Sequence, residues 1–196
     1  MHHGRALTKR FDEAYILASE LHRDQKRKGN NTPYLAHLLA VASIVLDSGG
    51  GEDAAIAGLL HDAVEDQGGL ATLDRIRAGF GDRVASLVME CSDNEGEPKR
   101  PWLERKQDFI ALIPRLSPDA RLIAIADKLH NARTLLTDYI RLGEAVWSRF
   151  NGQREGTLWY YRSAFEAFAA SGNEPVLYEL KHAVNEMLKM AGEDSV

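Results

Sequence analysis

A single cysteine, six prolines, few aromatic residues and no long apolar run mark this sequence more clearly than any abundance does. Cys91 has no second thiol to pair with, so an internal disulfide is excluded and a reducing, cytoplasmic compartment is expected. It also falls inside the helical-looking run 84–91, a poor setting for a nucleophile. No stretch approaches the ~18 apolar residues that a membrane helix requires, and there is no signal-peptide core, so no membrane association is expected. Positive charge is not in excess. The 24 Lys and Arg against 29 Asp and Glu give a net charge of −5. That balance argues against a nucleic-acid partner, while a local basic patch remains free to bind an anion. Alternating strand patterns, internal repeats and low-complexity tracts are all missing. What is present, 44% hydrophobic and 27% charged residues in a chain of 196, suits a soluble protein with a core of its own.

Helical periodicity runs nearly throughout. Over residues 5–26, Phe11, Ala14, Tyr15, Leu17, Ala18 and Leu21 recur at three- and four-residue spacing. The predicted helix closes on the basic run His22, Arg23, Lys26, Arg27 and Lys28. Two of these cations would suit a helix C-terminus; five, followed by the loop 29–33, point to an anion-binding edge. Residues 34–47 are apolar nearly all round, the mark of a buried helix, and His37 lies in it. Three glycines at 49–51 then break the chain before a central helix through 53–66. Further helices are expected at 72–78, 82–91, 102–113, 139–149, 153–170 and 176–190. Ser117-Pro118 caps another that runs to about residue 136. The longest loop is 92–101. The fold class is all-α: one domain over 1–196, a bundle of about nine or ten helices.

Polar groups intrude on this apolar pattern at few places. At 100° per residue, His61, Asp62, Glu65 and Asp66 share an arc of roughly 140° on the central helix. Three carboxylates there repel one another and are costly to bury unless a cation compensates them. His37 sits among Leu35, Ala36, Leu38 and Leu39. Asp127 interrupts Leu122, Ile123, Ile125 and Leu129, with Asn131 and Thr134 on the same face. Two imidazoles and two carboxylates from three helices suit a borderline-hard divalent ion such as Mn²⁺, Fe²⁺ or Zn²⁺. Spacing alone leaves the alternative open of a solvated acidic helix end with core histidines.

The order His…His-Asp…Asp resembles the HD superfamily of metal-dependent phosphohydrolases. More narrowly, the chain looks like the hydrolase domain of RelA/SpoT proteins, and most like the stand-alone small alarmone hydrolases. The matching pieces are His22-Arg23-Asp24-Gln25-Lys26-Arg27-Lys28, Thr32-Pro33-Tyr34-Leu35-Ala36-His37 and Leu60-His61-Asp62-Ala63-Val64-Glu65-Asp66. They continue in Phe80-Gly81 with Val84, Leu87 and Val88, and end in Ala126-Asp127-Lys128-Leu129-His130-Asn131-Ala132-Arg133-Thr134. Together they cover roughly residues 5–165, an HD core on which the C-terminal helices would pack.

That resemblance implies that His37, His61, Asp62 and Asp127 bind one Mn²⁺, with Glu65 and Asp66 as the catalytic carboxylates. It implies removal of the 3′-diphosphate of (p)ppGpp, giving GDP or GTP and pyrophosphate. Arg27, Lys28, Lys106, Asn131, Thr134 and Tyr160 match positions that hold the nucleotide. His130 matches a position that does not bind metal and is read as structural; Arg133 is read as an ion-pair partner. Leu38 stands where the family usually has proline, and the loop 29–32 is one residue longer than in some relatives. The length leaves no room for a synthetase domain beside the hydrolase. The expected partner is a small nucleotide, with no protein partner required. Two alternatives share the residues: action on another phosphorylated nucleotide such as NADPH, as a 2′-phosphatase, or an inactive nucleotide-binding module.

Overall fold

The computed structural model describes residues 6–29, 31–92 and 100–196. Among these residues the chain is helical and has no strand; Lys26 and Pro33 form an isolated bridge. The all-α expectation is met. In order the helices are α1 (Lys9–Leu21), α2 (Leu35–Asp47), α3 (Glu52–Leu60), α4 (Ala63–Asp66), α5 (Gly69–Phe80), α6 (Asp82–Cys91), α7 (Trp102–Leu112), α8 (Pro118–Leu142), α9 (Gln153–Ser171) and α10 (Val176–Met190). Two 3-10 segments, Ile113–Arg115 and Gly143–Arg149, join them. The chain divides into two compact units, one drawn from residues up to 97 with 117–123, the other from residues 98–116 with 124–196.

The first unit is built around α3. Ala54, Ala55, Ile56, Ala57, Leu59 and Leu60 are wholly buried, and α3 packs on α1, α2 and α6. Small side chains make this possible: a Cβ at Gly58 would lie 3.5 Å from the Ala42 Cα of α2. Full burial of each Leu or Ile contributes about 1.5–3 kcal/mol relative to exposure. A helix clamped on three sides therefore delivers its C-terminal end, and the His61-Asp62 pair beyond it, to a fixed place.

Three sequence expectations are corrected here. The first helix stops at Leu21, where the His22 N–H bonds the Ala18 carbonyl. The chain then turns into a hairpin, with Tyr34 N–H donating to Gln25 O and Arg27 N–H to Thr32 O, both at 2.9 Å. The basic run thus lies on this hairpin, not on a helix terminus. The central helix is interrupted at His61 and Asp62, so the single-face arc does not hold. The His61 ring occupies the Gly58 carbonyl at 2.8 Å, the acceptor a continuing helix would give to the Asp62 N–H. Finally, α8 runs on to Leu142, and the predicted helix 139–149 is divided between it and the second 3-10 segment. Gly143 has φ 58°, which ends α8. The expected start at Arg5, Asn30 and most of the 92–101 loop lie outside the described residues.

In the second unit α9 packs on α7, α10 and both 3-10 segments. Trp102 lies on Gly152 and Gly156; a Cβ at Gly152 would fall 2.5 Å from the indole. These two glycines, one turn apart, make the groove that holds the ring.

Candidate metal centre

Local structure explains the placement of each group in the first unit. His37 stands on the first turn of α2, buried, with Tyr34 as the helix N-cap residue. His61 and Asp62 occupy the turn between α3 and α4. Asp62 Oδ2 lies 3.0 Å from His61 Nε2 and 3.6 Å from His37 Nε2, and the two imidazole centroids are 5.2 Å apart. The same oxygen accepts the Tyr34 hydroxyl at 2.6 Å.

The tautomer of His61 decides the chemistry. A carbonyl only accepts, so the 2.8 Å contact between His61 Nδ1 and Gly58 O places a proton on Nδ1. In the neutral ring Nε2 then presents a lone pair to the Asp62 carboxylate. Two acceptors at 3.0 Å require a positive charge between or beside them. A proton on the ring or a divalent cation satisfies that demand, and an imidazole–carboxylate set braced by second hydrogen bonds is the donor chemistry of such a cation. Burial acts to raise the Asp62 carboxyl, but His61 and His37 beside it hold it well below the usual carboxylate range.

The catalytic candidates lie on α4. Glu65 is half-buried; Asp66 is exposed and accepts Gln25 Nε2 at 2.8 Å. Arg27 places its guanidinium 5.7 Å from the Tyr34 ring centroid, and Lys28 is exposed.

The second unit carries the remaining sequence-predicted residues. Asp127 is buried on α8; Asn131 Nδ2 donates to one carboxylate oxygen and Lys128 Nζ pairs with the other. Burial alone would lower the Lys128 ammonium, but Asp127 outweighs it and holds it well above the usual lysine value. Lys128 Nζ lies 4.9 Å from the Phe109 ring centroid and 5.8 Å from that of Tyr160, and Lys106 Nζ is 5.1 Å from Tyr160. Thr134 donates its hydroxyl to the His130 carbonyl, and Arg133 pairs with Glu179. Sequence reasoning did not single out Tyr34, Gln25 or Lys128. All three stood in the motifs, and Tyr34 lies one turn before His37, yet their contacts depend on the hairpin and on packing.

An HD domain family model matches residues 14–158. The chain belongs to the HD domain family. It is 36% identical over 183 residues to the human guanosine-3′,5′-bis(diphosphate) 3′-pyrophosphohydrolase MESH1, covering 92% of this chain and 93% of that one. The mouse MESH1 is 42% identical over 126 residues, 63% of this chain and 68% of its relative. A solved structure described as a metazoan ortholog of SpoT that hydrolyzes ppGpp and plays a role in starvation responses superposes with a TM-score of 0.76 at 27% identity, over 96% of this chain and 98% of that one. A crystal structure from Listeria monocytogenes EGD-e has a TM-score of 0.68 at 32% identity, covering 78% and 99%. Within the HD family the chain groups with the stand-alone small alarmone hydrolases and is a metal-dependent phosphohydrolase. Its site has the imidazole and carboxylate donors such an ion requires, although those donors do not single out one metal. Among the described residues no helix is long and apolar enough to cross a membrane.

Proposed function

We propose that the protein is a Mn²⁺-dependent (p)ppGpp 3′-pyrophosphohydrolase, working in the cytoplasm without a protein partner. The observation that carries this reading is the near full-length similarity to the human pyrophosphohydrolase MESH1 in a chain whose imidazole–carboxylate set calls for a cation. His37, His61, Asp62 and Asp127 would hold the ion; His37, His61 and Asp127 are each candidate ligands by chemistry and burial. When bound, such an ion supplies Lewis acidity and orientation at a phosphoryl group.

The chain's own residues do the rest. Water adds to the phosphorus nearest the ribose, the bond from that phosphorus to the 3′ oxygen breaks, and pyrophosphate leaves. Glu65 and Asp66 take the proton from the water and return one to the 3′ oxygen. Arg27 and Lys28 grip the nucleotide, the guanidinium being suited to phosphate or to stacking on the base. Lys106 faces the diphosphate and Tyr160 belongs to the segment that closes the pocket, while Asn131 and Thr134 stand at the ribose and base. Asn131 would also orient the Asp127 carboxylate through the hydrogen bond it already makes.

The test is product identity. Purified protein with Mn²⁺ is offered ppGpp and NADPH side by side, and products are resolved by ³¹P NMR. Pyrophosphate and GDP from ppGpp are expected. Phosphate from NADPH alone would overturn the substrate and keep the metal chemistry. Turnover of neither, with Mn²⁺ bound, would leave an inactive nucleotide-binding module.

A further inference from the structure

The main chain and the side chain of Gln25 do separate things. Its backbone closes the hairpin, the carbonyl accepting Tyr34 N–H at 2.9 Å and the N–H donating to His22 O at 3.1 Å. Its side chain is a junction. Oε1 lies 2.6 Å from His22 Nδ1 and 2.6 Å from Gln67 Nε2, while Nε2 lies 2.8 Å from Asp66 Oδ2.

The polarity of this junction is fixed from both ends. An amide oxygen only accepts, so His22 Nδ1 and Gln67 Nε2 both donate to it. A carboxylate only accepts, so the Gln25 amide nitrogen must donate to Asp66. Flipping the amide would set donor against donor on one side and oxygen against carboxylate on the other. His22 is itself held in place: it is 1% exposed and stacks on Tyr34 with centroids 5.3 Å apart and planes at 19°. Burial pushes its imidazole below the usual value, against the weaker opposing pull of Gln25, Asp62 and Asp66. Tyr34 in turn donates to Asp62. One buried stack therefore backs two acids, Asp62 through a phenol and Asp66 through an amide.

We propose that Gln25 is a positioning residue for the reaction, its amide polarised by His22 and Gln67 so that it holds the Asp66 carboxylate in the orientation that handles the proton. This rests on the role given to Asp66 under Proposed function. Asp66 is exposed and ends a helix of four residues, so the backbone alone does not fix its side chain, and proton transfer is limited by that geometry. A purely structural role for the Gln25 side chain is the competing explanation. The bonds that Gln25 itself gives to the hairpin, however, are main-chain, and its amide nitrogen is spent on Asp66.

Gln25→Glu preserves shape and backbone while setting an acid oxygen against Asp66; Gln25→Leu removes the junction. For both, kcat should fall about tenfold to a hundredfold, the usual cost of losing such an orienting partner. KM should stay within about twofold and Mn²⁺ binding should be unchanged. On an Asp66→Asn background, Gln25→Leu should add no further loss. Unchanged kcat, a loss confined to KM or metal content, or full additivity with Asp66→Asn would overturn the proposal. A readout independent of turnover is the Gln25 side-chain amide resonance in a ¹⁵N spectrum, which should move on Asp66→Asn. If it does not move, the proposal falls. If it moves in a protein that leaves ppGpp intact, the contact is supported and the substrate reading alone is lost.

Discussion

The two units brace their polar groups in different ways. In the first, acids and imidazoles are held by neutral groups: the Tyr34 hydroxyl on Asp62, the Gly58 carbonyl on His61, the Gln25 amide on Asp66. In the second, charge is held by opposite charge and by aromatic faces, with Lys128 between Asp127 and the rings of Phe109 and Tyr160, and Lys106 over Tyr160. Neutral partners of this kind orient donor groups without adding positive charge of their own, which suits a site for a cation. Aromatic faces attract both ammonium groups and gather positive charge in the second cluster, which suits a site for phosphate. Under the proposed function the first cluster carries the chemistry and the second, apart from Asp127, the substrate capture.

The largest effect should come from removing a donor. His61→Ala or Asp127→Ala is expected to abolish both bound Mn²⁺, read by elemental analysis, and pyrophosphate release; retention of metal in either would break the assignment. Next, Glu65→Gln or Asp66→Asn should keep the metal but lower kcat by about a hundredfold to ten-thousandfold, the range for general acid–base groups. Loss of metal in these variants would make them ligands instead. Smaller still, Lys106→Met should raise KM by about tenfold, the scale of one hydrogen bond to a charged group, leaving metal content alone. An effect on kcat with KM unchanged would move Lys106 from capture to chemistry.

The smallest effect concerns stability. Burial depresses the His22 imidazole, so below its unfolded value of about 6.5 the unfolded chain binds a proton that the folded chain refuses. Stability from this group is complete above that pH and is lost as pH falls from there toward the folded value. The facing groups are Gln25, Asp62, Asp66 and His61. Thermal midpoints at pH 7.5 and 5.5 should therefore differ more in the wild type than in His22→Phe, which keeps the stack on Tyr34. Equal differences would remove His22 from the account.

Much of this was legible in the sequence, and the misses have physical causes. The last helix was read at its observed bounds, Val176–Met190, because Pro175 precedes a clean amphipathic pattern. Arg133 was read as an ion-pair partner, and Glu179 supplies the other charge. The interruption at His61 and Asp62 was not legible, since no glycine or proline stands there. It accompanies a side chain taking a backbone acceptor, which local periodicity does not report. The hairpin at Gln25–Tyr34 was legible only as the loop 29–33: the main-chain bonds that close it join residues five and nine apart, which helical periodicity does not report. The order His37…His61-Asp62…Asp127 pointed to a metal, whereas the groups that orient those ligands appear only once the chain is folded.

The central claim is that one divalent ion at the imidazole–carboxylate set serves pyrophosphate release from ppGpp. The direct measurement is a titration of Mn²⁺ into metal-stripped protein, with bound Mn²⁺ read by electron paramagnetic resonance and pyrophosphate release read in the same samples. Both signals should rise together, level off at one equivalent, and be absent together in His61→Ala. Turnover without Mn²⁺ or any other divalent ion, or Mn²⁺ bound at one equivalent with no pyrophosphate released, would contradict the account.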